Sequence, residues 1–166
     1  MHINPHEYRS ALHDFLIQQD FRYHLTFTFN RPITFQAARD KLRFWTARTM
    51  RRLWGRQFYK RDPQSTLFYF AFPEYGADGD NLHFHVLVLI DPTRHRDFRR
   101  VAQAEWRQVM PSGTLFFQLI GSTTDDINAV VAYDLKDLSR SRDFIISTEF
   151  SPTPGPTGFR ALSDAA

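Results

Sequence analysis

The segment from residue 81 to residue 90 constrains the fold of this chain more than any other. It reads NLHFHVLVLI, and its β-branched and aromatic residues and short length predict a strand that is buried on both faces. Because successive side chains of a strand point to opposite faces, His83 and His85 are expected side by side on one face. Two imidazoles at the mouth of an apolar strand are costly to bury without partners, and a divalent metal ion satisfies both. Hydrogen bonds from the two rings to loop carbonyls are the alternative.

The composition restricts the ligands that such a metal can have. The chain of 166 residues contains no cysteine, so thiolate ligands and disulfides are excluded. Histidine, carboxylate and water remain, and these ligands favour Mg, Mn, Zn, Co or Ni over a structural zinc cluster. The sequence has no apolar run of about 18 residues and no signal-peptide core. We therefore expect no membrane partner and a cytoplasmic location.

The rest of the sequence predicts helices and strands that surround this strand in one domain, residues 1–150. We predict helices over residues 5–19, 35–54, 93–110 and 125–138, and further strands over residues 21–30, 67–72, 114–120 and 143–150. Thr34 is expected to cap the second helix, and Gly55 to end it. This order predicts an α+β fold with an open, five-stranded, mainly antiparallel sheet and flanking helices. Residues 151–166, with three Pro and two Gly, are expected to form a loose tail.

Positive charge is concentrated between residues 31 and 61. Ten basic residues and a single acid, Asp40, occur in this segment, although the net charge of the whole chain is only +3. Such a concentration favours a partner that carries phosphate groups, and the aromatic residues between the charges favour nucleic acid, because aromatic rings stack on bases. We expect Arg48, Arg51 and Arg52 to bind DNA. A solvent-exposed basic helix without a ligand is the alternative.

The last predicted helix carries a second pair of side chains that could take part in a reaction. Tyr133 and Lys136 are three residues apart and lie away from the apolar stripe that contains Val131 and Leu135. A tyrosine hydroxyl is ordinarily a weak nucleophile at neutral pH, because its pKa is near 10. A metal ion and a lysine ammonium group nearby favour the phenolate and neutralise charge on a phosphate. A surface tyrosine and lysine on an amphipathic helix are the alternative.

Three short motifs occur along the chain in the order Phe27-Thr28-Phe29-Asn30, His83-Phe84-His85 and Tyr133-Asp134-Leu135-Lys136. Together, in this order, they resemble the replication-initiator branch of the HUH endonucleases, the single-strand nickases of rolling-circle replication. The predicted order of strands and helices also resembles the ferredoxin-like, RRM-like nickase fold of that family. The resemblance covers residues 21–150.

The resemblance implies a divalent metal, Mg or Mn, that polarises the scissile phosphate. Its implied ligands are His83, His85 and a carboxylate shortly before them in the chain. Glu74 is the best match, because it ends the preceding strand and so lies beside the histidines in a hairpin. Asp78 and Asp80 remain rivals, and ordinary turn chemistry is the alternative explanation for them.

The resemblance also implies roles for residues outside the metal site. Tyr133 is expected to attack phosphorus, which leaves a 5′-phosphotyrosyl protein and a free 3′-hydroxyl, while Lys136 places or neutralises the phosphate. Thr28 and Asn30 are expected to contact the single-stranded DNA, an origin or a hairpin, near the site.

The function expected from these features is metal-dependent, site-specific nicking and rejoining of single-stranded DNA to initiate rolling-circle replication. Many relatives carry a helicase or other C-terminal domain after these motifs, whereas this sequence ends at Ala166. Whether the protein acts alone, uses a host helicase as a partner or is a fragment of a longer protein stays open. Two other functions remain open. A related HUH transposase shares the chemistry, and a non-catalytic single-strand-binding domain needs exposed aromatic residues on the sheet but no metal ligands.

Overall fold

Five antiparallel strands form one sheet in the computed structural model, which describes residues 4–62, 65–77, 79–136, 138 and 144–150. The strands are β1 (Tyr23–Thr28), β2 (Leu67–Glu74), β3 (His83–Ile90), β4 (Leu115–Leu119) and β5 (Ile145–Ile146). Their order across the sheet is β4-β1-β3-β2-β5, and every pairing is antiparallel. Within the described residues, the predicted α+β class and five-stranded sheet are confirmed.

Four α-helices cover the two faces of the sheet in the described part of the chain. They are α1 (Pro5–Leu16), α2 (Phe35–Trp54), α3 (His95–Val109) and α4 (Thr124–Asp134). Apolar residues of α2 and α3 pack with one face of the sheet, and those of α1 and α4 pack with the other. With α2 between β1 and β2 and α3 between β3 and β4, the first four strands have the ferredoxin-like connectivity.

Helix α2 begins and ends where its capping residues predict. The Thr34 side chain accepts a hydrogen bond from the backbone N–H of Ala37 at 3.2 Å, which satisfies one free donor of the first turn. Gly55 follows the helix with a φ of 81°, and its N–H donates to the carbonyl of Arg51. Glycine adopts this left-handed conformation without the clash that a Cβ would cause.

The strand with the histidines, β3, lies between β1 and β2 and is buried on both faces as predicted. Phe84, Val86 and Val88 belong to the core beneath α2 and α3, whereas Leu87 belongs to the core beneath α1 and α4. The histidines therefore face the α1 and α4 side. No helix in the described residues is long and apolar enough to cross a membrane.

Helix α4 is shorter than predicted and ends at Asp134 rather than at residue 138. The hydrogen bonds tighten after this residue, because the N–H of Lys136 donates to the carbonyl of Tyr133 and that of Leu138 to the carbonyl of Leu135. Lys136 consequently lies in a turn after the helix, and the prediction that it shares a helix with Tyr133 is wrong in this respect.

Strand β5 is also shorter than predicted, since it spans two residues instead of residues 143–150. A 3-10 helix, Ser147–Phe150, replaces the rest of it. The Ser147 hydroxyl accepts the backbone N–H of Tyr69, and the Glu149 carboxylate accepts the backbone N–H of Ile146, so these donors do not continue the strand ladder. Residue 143 and the predicted tail, residues 151–166, lie outside the described residues.

Candidate active site

The hairpin of β2 and β3 brings one carboxylate to the face that carries both histidines. Glu74 pairs with His83 across the hairpin. Side chains of paired residues in an antiparallel ladder point to the same face of the sheet, so Glu74 lies beside the imidazoles. On the other side of β3, Thr28 of β1 pairs with His83 and Thr26 pairs with His85. The site is therefore built across three neighbouring strands.

Three candidate ligand atoms converge at this point. The Oε2 atom of Glu74 lies 2.8 Å from Nε2 of His85 and 3.6 Å from Nε2 of His83. The ligand atoms of the three residues all lie within 4.8 Å of one another. Neighbouring ligands that are each about 2.1 Å from one octahedral ion lie roughly 3 Å apart. The spacing of these atoms is thus suitable for a divalent metal ion.

The other nitrogen of each imidazole already has a partner. Nδ1 of His83 lies 3.0 Å from the carbonyl oxygen of Asn81, and Nδ1 of His85 lies 3.2 Å from the hydroxyl oxygen of Thr26. A carbonyl only accepts hydrogen bonds, so the neutral His83 ring carries its proton on Nδ1 and has a free lone pair on Nε2. Histidines that bind metals are commonly oriented in this way by a partner of the second ring nitrogen.

A buried nitrogen without a hydrogen bond indicates that the site fits a metal. Nε2 of His85 is buried and has no hydrogen-bond partner among the described residues, although an oxygen of Glu74 lies 2.8 Å away. Burial lowers the pKa of His85 to about 4, and the adjacent His24 and His83 contribute to the shift. The ring is neutral at pH 7 and offers a lone pair, which a cation would satisfy.

Tyr133 and Lys136 contact the same carboxylate from the α4 side. The hydroxyl of Tyr133 donates to Oε2 of Glu74 at 3.3 Å, and Nζ of Lys136 donates to Oε1 at 2.8 Å. Nζ of Lys136 also lies 3.6 Å from the centroid of the Tyr133 ring, which is perpendicular to the His85 ring with 5.2 Å between the centroids. The structure thus brings together all five residues that were predicted as nucleophile, cation and metal ligands.

The charges in this cluster stabilise one another. Burial alone would raise the pKa of Glu74, but its hydrogen bond with Lys136 and its proximity to His85 outweigh this effect and hold the pKa below the usual value. Desolvation alone would lower the pKa of Lys136, but its hydrogen bond with Glu74 outweighs this effect and raises the pKa. At neutral pH the site therefore contains a carboxylate and an ammonium group.

Two residues that the sequence analysis did not identify lie directly behind the site. Nε2 of His24, on β1, lies 2.9 Å from Oδ1 of Asp134, the last residue of α4, and both residues are buried. The His24 ring stacks on that of His85, with 5.3 Å between their centroids. Burial raises the pKa of Asp134, and the bond with His24 partly offsets this shift. His24, His85 and Asp134 form a second group that could bind a metal ion.

The sequence did contain a signal for this pair. The alternation of β1 places His24 on the face opposite to the Phe27 side, and Asp134 directly follows Tyr133 in the chain. What the alternation does not indicate is that the end of α4 meets this strand.

The predicted DNA contacts near the site have separate positions. Thr28 lies in the same cross-strand row as His83, and its hydroxyl lies 2.6 Å from the hydroxyl of Thr114. Asn30, with a φ of 53°, donates from its side-chain amide to the carbonyl of Ser112 at 2.8 Å. Thr28 therefore borders the site, whereas Asn30 holds the segment before β4.

The predicted basic residues are not part of this site. Arg48, Arg51 and Arg52 are exposed on α2, which covers the opposite face of the sheet. Among the rival acids, Asp80 is exposed and belongs to neither metal-binding group of the described residues, and Asp78 lies outside them.

A cleft continues from the site across the sheet toward β4. It has a volume of about 370 Å³, and its lining includes Thr26, Gln118 and Tyr133. Phe116 pairs with Thr26, so its ring is on this face, and it is 60% exposed. The part of the sheet beside this cleft therefore presents an exposed aromatic ring.

Comparisons of the chain with protein-family models, with curated proteins and with solved structures found no match. Any assignment of function therefore rests on the chemistry of these side chains. That chemistry consists of one carboxylate, two imidazoles, a phenol and an ammonium group in mutual contact.

Proposed function

We propose that this protein is a metal-dependent nickase of single-stranded DNA that acts through a 5′-phosphotyrosine intermediate and so initiates rolling-circle replication. The observation that carries the proposal is that Tyr133 and Lys136 both contact Glu74, the carboxylate beside the two imidazoles. Phosphoryl transfer needs a nucleophile, a positive charge near the phosphate and an electrophilic catalyst at one place. In this proposal Tyr133 is the nucleophile, Lys136 is the positive charge, and the carboxylate and imidazoles are the ligands of the electrophilic metal.

Glu74, His83 and His85 would hold the metal, which we propose is Mg or Mn. A bound ion would supply Lewis-acid stabilisation of the negative charge on the scissile phosphate. Thr26 and the Asn81 carbonyl keep the two imidazoles oriented toward Glu74, so that the ligand set is organised before DNA arrives.

Tyr133 is the nucleophile in this proposal. Its side chain is 45% exposed, so a phosphate can approach the hydroxyl from solvent. A bond forms between the phenolic oxygen and phosphorus, and the bond from phosphorus to the 3′-oxygen breaks. The phenolic proton passes to solvent, to which Tyr133 is exposed, and the departing oxygen takes up a proton from solvent to become the 3′-hydroxyl. Because the phosphotyrosine linkage conserves the phosphodiester, attack by a 3′-hydroxyl on it can rejoin the strand.

Lys136 compensates the negative charge in this step. Its ammonium group lies against the Tyr133 ring and is held by Glu74, so it is adjacent to both the phenolate and the incoming phosphate. A positive charge that is already in position needs no rearrangement when the transition state forms.

The exposed part of the sheet formed by β1 and β4 offers a path for the single-stranded DNA. Phe116 is available for a base to stack on, and Thr28 borders the metal ligands. Stacking on an aromatic ring accepts any base, so this surface holds single-stranded DNA without requiring a sequence.

The test is to look for the covalent intermediate. Wild-type protein is incubated with a labelled library of single-stranded oligonucleotides in Mn or in EDTA, and adducts are mapped by mass spectrometry. We expect a metal-dependent adduct on Tyr133 that Tyr133→Phe abolishes. Tyr75→Phe is the matched control, because Tyr75 is 44% exposed and lies next to Glu74 in the chain. An adduct on another residue contradicts the assignment, and strand binding without any adduct supports the non-catalytic alternative.

A further inference from the structure

A second charged surface lies on the opposite side of the sheet from the active site. There α2 and α3 border a groove of about 690 Å³. Its lining contains one acid, Glu105 of α3, and four arginines: Arg48, Arg51, Arg52 and Arg56. The active-site cluster is separated from this groove by the sheet itself and by the core beneath α2 and α3.

Glu105 organises half of the groove. Its side chain is only 6% exposed, and its two oxygens accept hydrogen bonds from Nε of Arg48 at 2.6 Å and from Nε of Arg52 at 3.2 Å. A guanidinium group has five N–H donors, so a bond through Nε leaves both terminal nitrogens of each arginine for another acceptor. The buried carboxylate thus orients two exposed guanidinium groups and neutralises only one of their charges.

The other two arginines leave the groove with excess positive charge. Arg51 and Arg56 are exposed, and neither forms an ion pair with an acid among the described residues. Arg51 follows Arg48 by three positions, and like charges at this spacing destabilise a helix. A polyanion in the groove would remove that repulsion and would release its counterions.

The lining of the groove also indicates what kind of nucleic acid fits. None of the described residues that line it is aromatic, so it has no ring on which an unpaired base could stack. Arginines without aromatic residues are suited to the sugar-phosphate backbone of paired DNA. The contrast with Phe116 on the other face is clear, because that ring is exposed beside the proposed nicking site.

We propose that this groove binds the backbone of duplex DNA next to the single-stranded segment that is nicked. The inference goes beyond the proposed function, and it rests on that function only for the identity of the polyanion as DNA. A DNA strand bound at the active site would have to pass around the edge of the β-sheet to reach the groove. The two surfaces therefore hold different segments of the DNA.

The test compares the binding of duplex DNA with the binding of single-stranded DNA. Arg51→Ala/Arg56→Ala removes two charges but leaves Glu105 with both of its partners, so the α2–α3 contact stays intact. Arg96→Ala/Arg107→Ala is the matched control, because these arginines are exposed on α3 outside the groove. Binding of a blunt duplex and of a short single strand is measured by fluorescence anisotropy over a range of salt concentrations.

We expect Arg51→Ala/Arg56→Ala to bind the duplex about tenfold more weakly than the control does. The slope of log affinity against log salt concentration should fall in magnitude by about one per lost phosphate contact. Binding and nicking of the short single strand should match those of the control. The proposal is overturned if the duplex affinity equals that of the control, or if single-strand affinity falls as much as duplex affinity. Because the readout is binding, a wild-type protein that binds the duplex but never nicks would refute the proposed function and leave the groove assignment standing.

Discussion

Glu74 contacts each of the other four residues of the candidate active site. One carboxylate oxygen faces the imidazoles and the Tyr133 hydroxyl, while the other accepts from Lys136. Its negative charge therefore holds the Lys136 ammonium group and, in the proposed function, would also bind the metal. Asp80, on the following loop, is exposed and has none of these contacts in the described residues.

We expect Glu74→Gln to weaken Mn binding by at least about tenfold, because a neutral amide replaces the only anionic ligand of the cluster. Calorimetric titration of Mn into DNA-free protein measures the change. Asp80→Asn removes one carboxylate from the same hairpin and serves as the control, with wild-type affinity expected. Normal Mn binding by Glu74→Gln together with weakened binding by Asp80→Asn would assign the third ligand to the rival acid.

Phe116 offers a second test at the scale of a single residue. Phe116→Ala should weaken single-strand binding by about 1–3 kcal/mol, the usual contribution of one stacked base. Leu119→Ala is a close control, because Leu119 is also 60% exposed on β4 but pairs with Tyr23, whose side chain belongs to the core on the other face. Anisotropy with a labelled oligonucleotide measures both. Equal losses in the two variants would mean that the strand does not lie on the active-site face.

At the scale of elements, a buried hydrogen bond helps to hold the end of α4 on the sheet. Val131 and Leu135 pack in the core beneath α1 and α4, but apolar contacts permit some sliding. The bond between Asp134 and His24 of β1 is directional and buried, so it fixes the helix end. Tyr133 immediately precedes Asp134, so we expect this hydrogen bond, together with the contact of the Tyr133 hydroxyl with Glu74, to position that hydroxyl.

We expect Asp134→Ala to slow nicking more than it weakens Mn binding, because the nucleophile shifts while the metal ligands stay on their strands. Loss of a partner for buried His24 should also lower the free energy of unfolding by about 1–3 kcal/mol. Asp134→Asn, which retains a hydrogen-bonding side chain, should recover most of both losses, and Asp125→Ala, on the exposed first turn of α4, is the control. Nicking rates, Mn titrations and urea unfolding measure the three effects. Equal losses of nicking and Mn affinity would show that Asp134 supports the metal cluster instead.

At the scale of the whole molecule, the sheet separates two cores with different chemistry. Large aromatic residues such as Trp45 and Trp106 fill the core beneath α2 and α3. On the other face the apolar core adjoins a cluster of three imidazoles, His24, His83 and His85. The stability of the entire domain therefore depends on pH through the imidazoles on this face of the sheet.

We expect the metal-free protein to lose stability as the pH falls from about 6.5 to about 4. An unfolded histidine binds a proton near pH 6.5, whereas burial holds the folded pKa of His85 at about 4. Between these values the unfolded chain binds more protons than the folded chain, so stability is present above the upper value and is lost toward the lower one. Urea midpoints of His85→Gln should decline less with falling pH than those of wild type or of the exposed control His6→Gln. Parallel declines in all three proteins would assign the effect to other groups.

Much of the fold and of the site followed from local patterns in the sequence. The alternation of β3 placed His83 and His85 on one face. The resemblance to the HUH endonucleases implied a carboxylate shortly before them, with Glu74 as the best match and Asp78 and Asp80 as rivals. Thr34 and Gly55 marked the ends of α2, because capping depends on side chains within a few residues of the helix end. These features could be predicted because each involves a single element or two elements that are adjacent in the chain.

The tertiary structure alone decided which of these elements meet. The hydrogen bond between His24 and Asp134 joins residues 110 positions apart, and the hydrogen bond between Arg48 of α2 and Glu105 of α3 joins residues 57 positions apart. It also turned the chain after Asp134, so that Lys136 reaches Glu74 from a turn rather than from the helix. The physical reason is that periodicity identifies the side chains that share a face, whereas long-range packing selects the face that lies opposite.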